Sequence, residues 1–195
     1  MSGIVTGTSI VFHKENLSSV AVKVESMFGD RLLGKEEKGQ YFQFSVKAAD
    51  AKALLRFLKE DPTLGFTWFI DSCGVDYLRY PKAPPESGAR FGVVTTLLSP
   101  TLGVKVQVRA FVDGKDPRID SNVELFAGAN WTEREIFDLY GIVFDGHPDL
   151  KRILMPEDYE GHPLRKDYPL RGRGERGAFP VYHAVPVALA PKEEG

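Results

Sequence analysis

The chain is short of three things: cysteine, long apolar runs and an excess of charge of either sign. Cys73 is the only cysteine among its 195 residues. One thiol cannot form an internal disulfide, a four-cysteine zinc site or a cysteine-held iron–sulfur cluster, so we expect none of these within the chain. The single thiol also fits a reducing compartment.

Long apolar segments are missing as well. No stretch approaches the about 18 consecutive uncharged apolar residues that a transmembrane helix requires. The opening residues, MSGIVTGTSIVFHKEN, lack a basic leader followed by a long apolar run. We therefore expect neither a membrane span nor a signal peptide. The formal net charge of −2 argues against a general nucleic-acid binder, which needs a basic surplus to displace counterions from phosphates.

The composition that remains is that of an ordinary globular domain, with 43% apolar and 27% charged residues. A chain of this length can bury a core without metal or disulfide. Hydrophobic periodicity predicts helices over residues 15–29 and 48–60 and strands over residues 40–46, 66–78, 90–99 and 103–112. We predict an α/β (α+β) fold, in which helices pack on a mixed or antiparallel sheet.

Two short helical segments are predicted next, over residues 121–129 and 131–140. Asn130 lies at the expected N-cap position of the second segment, and Glu133 follows three residues later, which is the spacing of a capping box. Gly141 stands where a left-handed residue commonly ends a helix. The spacing therefore predicts a short helix that is defined at both ends.

The charges on this helix have two possible uses. Glu135 and Asp138 share one face, and Arg134 and Asp138 are spaced to form an ion pair. Acid–base catalysis by the two carboxylates would need a cleft that shifts a pKa. Nothing in the sequence builds such a cleft, so an ion-paired helix face is the favoured interpretation.

The amino-acid composition changes after about residue 143. Residues 145–195 contain seven of the thirteen prolines, and only residues 152–155 are predicted to be a strand. Apolar residues recur throughout, and basic residues cluster between Arg165 and Arg176. We predict a domain over residues 1–143 and an extended docking arm over residues 144–195, since the arm cannot form a core alone.

Three other chemistries are disfavoured. His147 and His162 each lie in a Gly-His-Pro triplet without zinc-ligand spacing, so hydrogen-bonded turns are the better interpretation. Residues 172–177 match G-x-G-x-x-G, but no strand precedes them and no helix can follow. Cys73 has no neighbouring histidine in the sequence, which favours a buried strand-end thiol over a nucleophile.

The stretch from Trp131 to Leu170 closely resembles the signature region of the 30-kDa subunit family of respiratory complex I. The residues predicted to form the family motif and a subunit interface are Glu133, Arg134, Glu135, Asp138, Gly141, His147, Pro148, Arg152, His162, Pro163, Leu164, Arg165, Lys166, Asp167 and Tyr168. The match also includes Phe144, Ile153, Leu154, Pro156, Gly161 and Pro169. Residues 74–78 and the strand pair over residues 90–112 resemble the family's domain.

The resemblance implies an accessory subunit of the peripheral arm of a proton-translocating NADH–quinone oxidoreductase. Such a subunit holds no flavin, iron–sulfur cluster or quinone. FMN, the Fe–S clusters and quinone are implied on partner chains, among them the 49-kDa-type subunit. The implied location is the cytoplasmic side of the inner membrane, reached through the complex. No catalytic, cofactor-binding or metal-binding residue is predicted in this chain.

Two alternatives stay open at this point. The first is the equivalent subunit of a related membrane-bound hydrogenase, or of a dehydrogenase with another electron donor. The second is a stand-alone hydrolase that uses Glu135, Asp138 and His147.

Overall fold

The computed structural model describes residues 14–80 and 89–173, and the elements within these ranges follow in chain order. They are α1 Lys14–Phe28, a 3-10 turn Gly29–Arg31, β1 Leu32–Glu37, β2 Tyr41–Lys47, α2 Ala48–Glu60, β3 Trp68–Asp76, β4 Ala89–Ser99, β5 Val104–Asp113, β6 Arg118–Asp120, α3 Ala129–Tyr140 and β7 Val143–Asp145.

A five-stranded mixed sheet forms the centre of the fold, in the order β1-β2-β5-β4-β3. The β2–β5 pair is parallel and the other pairs are antiparallel. Phe44 lies opposite Val108, and both belong to the core. A second, two-stranded parallel sheet joins β6 to β7 and pairs Ile119 with Phe144.

Helix α2 shows how periodicity produces the core. It buries Ala51, Leu54, Leu55 and Leu58, which recur at the spacing of one helical face. Alternate residues of β5, from Val104 to Val112, are buried by the two-residue period of a strand. Side chains from α1, α2 and these strands form one continuous apolar cluster.

Helix α3 packs against β3, the edge strand of the sheet, and its Ile136 belongs to the same apolar cluster. The Tyr140 ring lies directly against Gly74 of β3, because a Cβ on Gly74 would lie 2.6 Å from Cδ2 of that ring. This close approach places the signature helix beside the edge of the sheet and points its C-terminal end towards residues 146–173. We call these residues, which follow β7, the anchored segment.

The structure confirms the α+β fold class and the mixed sheet. The predicted helices and strands before residue 113 are found within about two residues of their expected bounds. Two predictions are wrong. Residues 121–129 form turns up to the start of α3, and residues 152–155 form no strand. Strands β1, β6 and β7 were not predicted, because they are short or lack alternation.

Candidate functional site

Asp138, on the last turn of α3, is the centre of the signature region. Its side chain is 0% exposed. Oδ2 accepts hydrogen bonds from three successive backbone N–H groups, those of Ile153, Leu154 and Met155, at 3.0, 2.7 and 2.9 Å. Three consecutive amides that converge on one oxygen form an anion-binding nest. The nest explains why residues 152–155 form no strand, because the N–H groups of residues 153–155 bind a carboxylate.

Arg152 completes this arrangement by neutralising the buried charge. Nη1 donates to Asp138 Oδ1 at 2.7 Å and to the Asp138 carbonyl at 3.1 Å. Nη2 donates to the carbonyls of Tyr159 and Gly161 at 2.9 and 3.0 Å. One guanidinium therefore joins the helix to a loop farther along the anchored segment.

The electrostatics of Asp138 follow from these partners. Burial alone would raise the pKa of this carboxyl, but the three amides and Arg152 outweigh burial and lower the pKa. Charge-assisted bonds to a fully enclosed carboxylate are the strong kind. Asp138 is therefore an ionised structural anchor, and both of its oxygens are occupied.

Gly141 ends α3 and makes room for the returning chain. Its φ of +71° is in the left-handed region, as predicted. A Cβ at this position would lie 2.6 Å from Arg165 Nη2 and closer still to the His162 ring. Glycine is therefore required here by the backbone angle and by the space that two motif side chains occupy.

His162 and Arg165 use the helix end that Gly141 exposes. The His162 Nδ1–H donates to the Asp138 carbonyl at 2.9 Å, and Arg165 Nε donates to the Tyr140 carbonyl at 2.6 Å. The Leu164 N–H donates to the Leu139 carbonyl at 3.1 Å. These donors satisfy carbonyls that a helix leaves without partners at its C-terminus. Burial lowers the pKa of His162, so its ring is neutral at pH 7.

A second buried carboxylate, Asp76 at the end of β3, holds the far part of the segment. Its Oδ2 accepts from the Lys166 N–H and from Arg90 Nη2, each at 2.8 Å. Arg90 also binds Asp167, with Nη2 at 2.7 Å from Oδ1. Burial would raise the pKa of Asp76, but Arg90 and the amides lower it. Asp76 and Arg90 therefore hold the segment in place, and the sequence did not reveal this pairing.

Glu133 is buried and does not cap its helix. Its carboxylate accepts from Ser121 Oγ and from the Asn122 N–H, both at 2.7 Å. Burial raises the pKa of Glu133, and these two bonds offset that effect only in part. Glu133 thus fixes the turn that precedes α3.

The predicted capping box is therefore wrong. α3 begins at Ala129, its N-cap is Gly128, and no side chain caps it. The Oδ1 atom of Asn130 is buried without a hydrogen-bond partner. Sequence spacing suggested the box because Asn130 and Glu133 have the correct separation, but the helix starts two residues earlier than that pairing requires.

The predicted Arg134–Asp138 ion pair is also not formed. Arg134 Nε donates to the Lys151 carbonyl at 3.1 Å, and the guanidinium lies 5.0 Å from the Trp131 ring centroid. His147 forms the expected turn, in which Nδ1 accepts from the Asp149 N–H at 3.0 Å and Nε2 donates to the Asn130 carbonyl at 3.2 Å. Both side chains fasten the start of the anchored segment to the start of α3.

The structure places the motif residues at different depths. Glu133, Asp138, Arg152 and His162 bind other parts of the chain, whereas Glu135, Pro148, Leu164, Lys166 and Asp167 are exposed. Arg134, His147, Pro163, Arg165 and Tyr168 are half-buried, and Gly141 is buried. Tyr168 Oη lies 2.6 Å from Tyr159 Oη. The exposed side chains of the motif face outward, although Asp167 also binds Arg90.

The geometry does not assemble a hydrolase site from Glu135, Asp138 and His147. Asp138 is enclosed by its donors, and His147 contacts Asn130, about 12 Å along the helix from Asp138.

Cys73, predicted to be buried, is exposed on β3. Within residues 14–80 and 89–173, no group of three or more His, Cys, Asp or Glu side chains is placed to hold a metal ion. No helix in the same ranges is long and apolar enough to cross a bilayer.

Comparison with solved structures supports this description of the fold. Nqo5, as the trypsin-resistant fragment 1–134, superposes with a TM-score of 0.59 at 34% identity and covers 69% of this chain and 98% of its own. A chain of the membrane-bound sulfane sulfur reductase, an archaeal respiratory membrane complex, gives a TM-score of 0.64 over 91% of this chain and 97% of its own. At 17% identity, the second likeness shows the fold alone.

Sequence comparison identifies the relatives and the family of this chain. The C subunit of the NADH-quinone oxidoreductase of Ralstonia nicotianae is 42% identical over 92% of this chain and 91% of its own. The corresponding C subunits of Leptothrix cholodnii and Cupriavidus metallidurans are 39% and 40% identical over similar spans. The family model described as respiratory-chain NADH dehydrogenase, 30 Kd subunit, matches residues 44–174. The chain belongs to this 30-kDa subunit family.

Proposed function

We propose that this chain is an accessory subunit of the peripheral arm of a proton-translocating NADH–quinone oxidoreductase. One observation carries the proposal: identity near 40% with the C subunits of NADH-quinone oxidoreductases extends over nine-tenths of both chains. The architecture supports it, because the signature residues are used to fix a segment in place and leave a set of side chains facing outward. This arrangement suits a subunit that binds its neighbours.

The redox chemistry belongs, in this proposal, to partner chains. FMN, the Fe–S clusters and quinone are held elsewhere in the assembly, and electrons pass from NADH to quinone without touching this subunit. The amino-acid content supports this assignment, since a single cysteine cannot ligate a four-cysteine cluster. The isolated chain is then expected to oxidise no NADH and to reduce no quinone.

The principal partner is proposed to be the 49-kDa-type subunit. Glu135, Leu164 and Lys166 are motif residues with exposed side chains, and they are candidates for this contact. Glu133, Asp138 and Arg152 act indirectly by fixing the path of the backbone. Through such contacts the subunit is held at the cytoplasmic side of the inner membrane. Residues 1–143 remain, in this proposal, the domain and residues 144–195 the docking arm.

The test is recovery of the assembly. Cells that carry an affinity-tagged copy of this chain are solubilised in mild detergent, and the tagged protein is purified. We expect flavin, iron and NADH–quinone reductase activity to co-purify with the tag. Recovery of the tagged chain alone, with all of the reductase activity left in the untagged fraction, contradicts the proposal.

A second candidate is the equivalent subunit of a membrane assembly with another electron donor. The shared fold with a chain of the sulfane sulfur reductase complex favours its inclusion. The purified assembly separates the two candidates, because only the first reduces quinone with NADH. Activity with hydrogen or another donor, and none with NADH, would select the second.

A further inference from the structure

A groove of about 740 Å³ runs along the outer side of the anchored segment. Its apolar surface comes from Met155, Tyr159, Leu164, Tyr168, Pro169 and Leu170. Leu164 is 42% exposed and Leu170 is 100% exposed. Large apolar side chains at such exposure mark a surface that gains free energy when a partner covers it.

The walls of the groove are fixed before any partner arrives. The Met155 N–H is bound by Asp138, the Lys166 N–H by Asp76, and the Tyr159 carbonyl by Arg152. The hydroxyls of Tyr159 and Tyr168, which both line the groove, bond to each other at 2.6 Å. A surface ordered in advance loses little conformational entropy on binding.

The rim of the groove is positively charged. Arg79, Arg165 and Lys166 line it, against a single carboxylate, Asp167, which is already bound to Arg90. Arg165 is engaged with the Tyr140 carbonyl. The side chains of Arg79 and Lys166 are exposed, and neither makes a salt bridge with any residue of the described ranges. Two cations therefore stand beside an apolar groove without a counter-charge from this part of the chain.

We propose that this groove binds a short, extended and acidic segment of an adjoining subunit, whose carboxylates pair with Arg79 and Lys166 and whose apolar side chains cover Leu164 and Leu170. The inference rests on the proposed function, since it gives the chemistry of one contact within that assembly. Guanidinium and ammonium groups select carboxylates, and the apolar floor between them supplies the buried area. The charge pattern gives the site its specificity.

The first test is zero-length cross-linking of the intact purified complex with a carbodiimide, which joins a lysine amine to a carboxylate in direct contact. We expect peptide mass spectrometry to find Lys166 joined to an aspartate or glutamate of another subunit, within a segment that also carries apolar residues. A Lys166 joined only to Glu175, Glu193 or Glu194 of its own chain overturns the proposal. So does a Lys166 amine that stays unmodified in the complex.

The second test is the salt stability of the complex with Arg79→Glu and Lys166→Glu combined. Lys166 is anchored through its backbone N–H, so the substitution leaves that bond in place. We expect the tagged subunit to dissociate at a KCl concentration about two-fold lower than for the unsubstituted complex, because reversed rim charges repel the acidic segment. The control is Lys38→Glu, at the opposite edge of the sheet.

The outcomes separate this inference from the proposed function. If the unsubstituted chain brings no flavin- or iron-containing partner, the proposed function fails. If the complex is recovered but the double variant and Lys38→Glu dissociate at the same KCl concentration, only the groove assignment fails. If the double variant loses binding to vesicles of anionic phospholipid and keeps the complex intact, the groove holds a lipid headgroup and the peptide assignment is wrong. Circular dichroism of both variants confirms that the fold is retained.

Discussion

Leu54 and Asp138 are both fully buried, yet they stabilise two regions of this molecule in different ways. Leu54 is one of many apolar side chains shared between α1, α2 and the sheet. Asp138 has no equivalent within the described residues, because it alone binds three amides and Arg152 of the anchored segment. In the apolar core the stabilising free energy is spread over many contacts, whereas at the polar anchors it comes from a few hydrogen-bonded atoms.

This difference makes the two regions vulnerable to different changes. Loss of one core side chain weakens the whole domain but leaves the other contacts to hold its shape. Loss of one anchor leaves opposite charges and amides buried without partners, and it acts on a single segment. Three substitutions and one change of pH probe this difference, and they follow in order of decreasing effect.

The largest effect is expected for Asp138→Ala. Arg152 would lose its buried counter-charge, and three N–H groups would lose their acceptor, at a cost of about 3–5 kcal/mol. We expect trypsin to cut the anchored segment rapidly while the amides of β4 and β5 keep their protection from hydrogen exchange. The matched control is Glu135→Ala, three residues earlier and exposed, which should leave the cleavage rate unchanged. Equal loss of protection in β4 would show that the two regions are not separable.

A core change should give the opposite distribution. Leu54→Ala removes a side chain that is 0% exposed and leaves a cavity, at a cost of about 3 kcal/mol. We expect guanidinium unfolding to shift to lower concentration and hydrogen exchange to accelerate in α1, α2 and the sheet together. Glu60→Ala, at an exposed position at the end of the same helix, serves as the surface control. Accelerated exchange confined to α2 would contradict a shared core.

Gly141→Ala tests the junction between the regions. The left-handed backbone and the contact with Arg165 and His162 should together cost about 1–3 kcal/mol. Gly146→Ala is the matched control, because Gly146 also has a positive φ, of +79°, but has no atom within 4 Å of an added Cβ. We expect the difference in unfolding free energy between the two variants to report the steric contact alone. If the two variants are equally stable, the His162 and Arg165 side chains move aside at no cost.

The smallest expected effect is a dependence on pH. Burial lowers the pKa of His162 below its ordinary value of 6.5. The unfolded chain therefore takes up a proton more readily as the pH falls through 6.5, and this contribution to stability decreases from there towards the folded pKa. We expect tryptic cleavage of the anchored segment to accelerate as the pH falls below 6.5. The intrinsic pH dependence of trypsin is corrected with an unstructured peptide. His162→Gln should flatten this part of the pH profile, and an unchanged slope would assign it to another group.

Sequence reasoning succeeded where the signal is local. The alternation from Val104 to Val112 and the helical spacing of Leu54, Leu55 and Leu58 predict their elements directly, because each period reflects one buried face. The left-handed Gly141 was predicted for the same reason, since a helix end has a local chemistry.

The partners of the signature residues are not local, and this is why the sequence did not reveal them. Asp138 binds amides 15 to 17 residues away in a segment without periodicity, and Asp76 binds an amide 90 residues away. Every residue except proline has a backbone N–H, so the residue type does not indicate which N–H will bind a carboxylate. The ion-paired helix face predicted from charges was wrong for this reason, as the main partners of Asp138 are backbone groups.

Four of the bonds that attach the anchored segment are made by its backbone and not by its side chains. The carboxylates of Asp138 and Asp76 hold the N–H groups of residues 153–155 and 166, and every amino acid except proline supplies such a group. These four bonds therefore do not depend on the side chains at residues 153–155 and 166. A change of side chain at any of these positions, to a residue other than proline, should therefore leave the four bonds and the path of the chain in place.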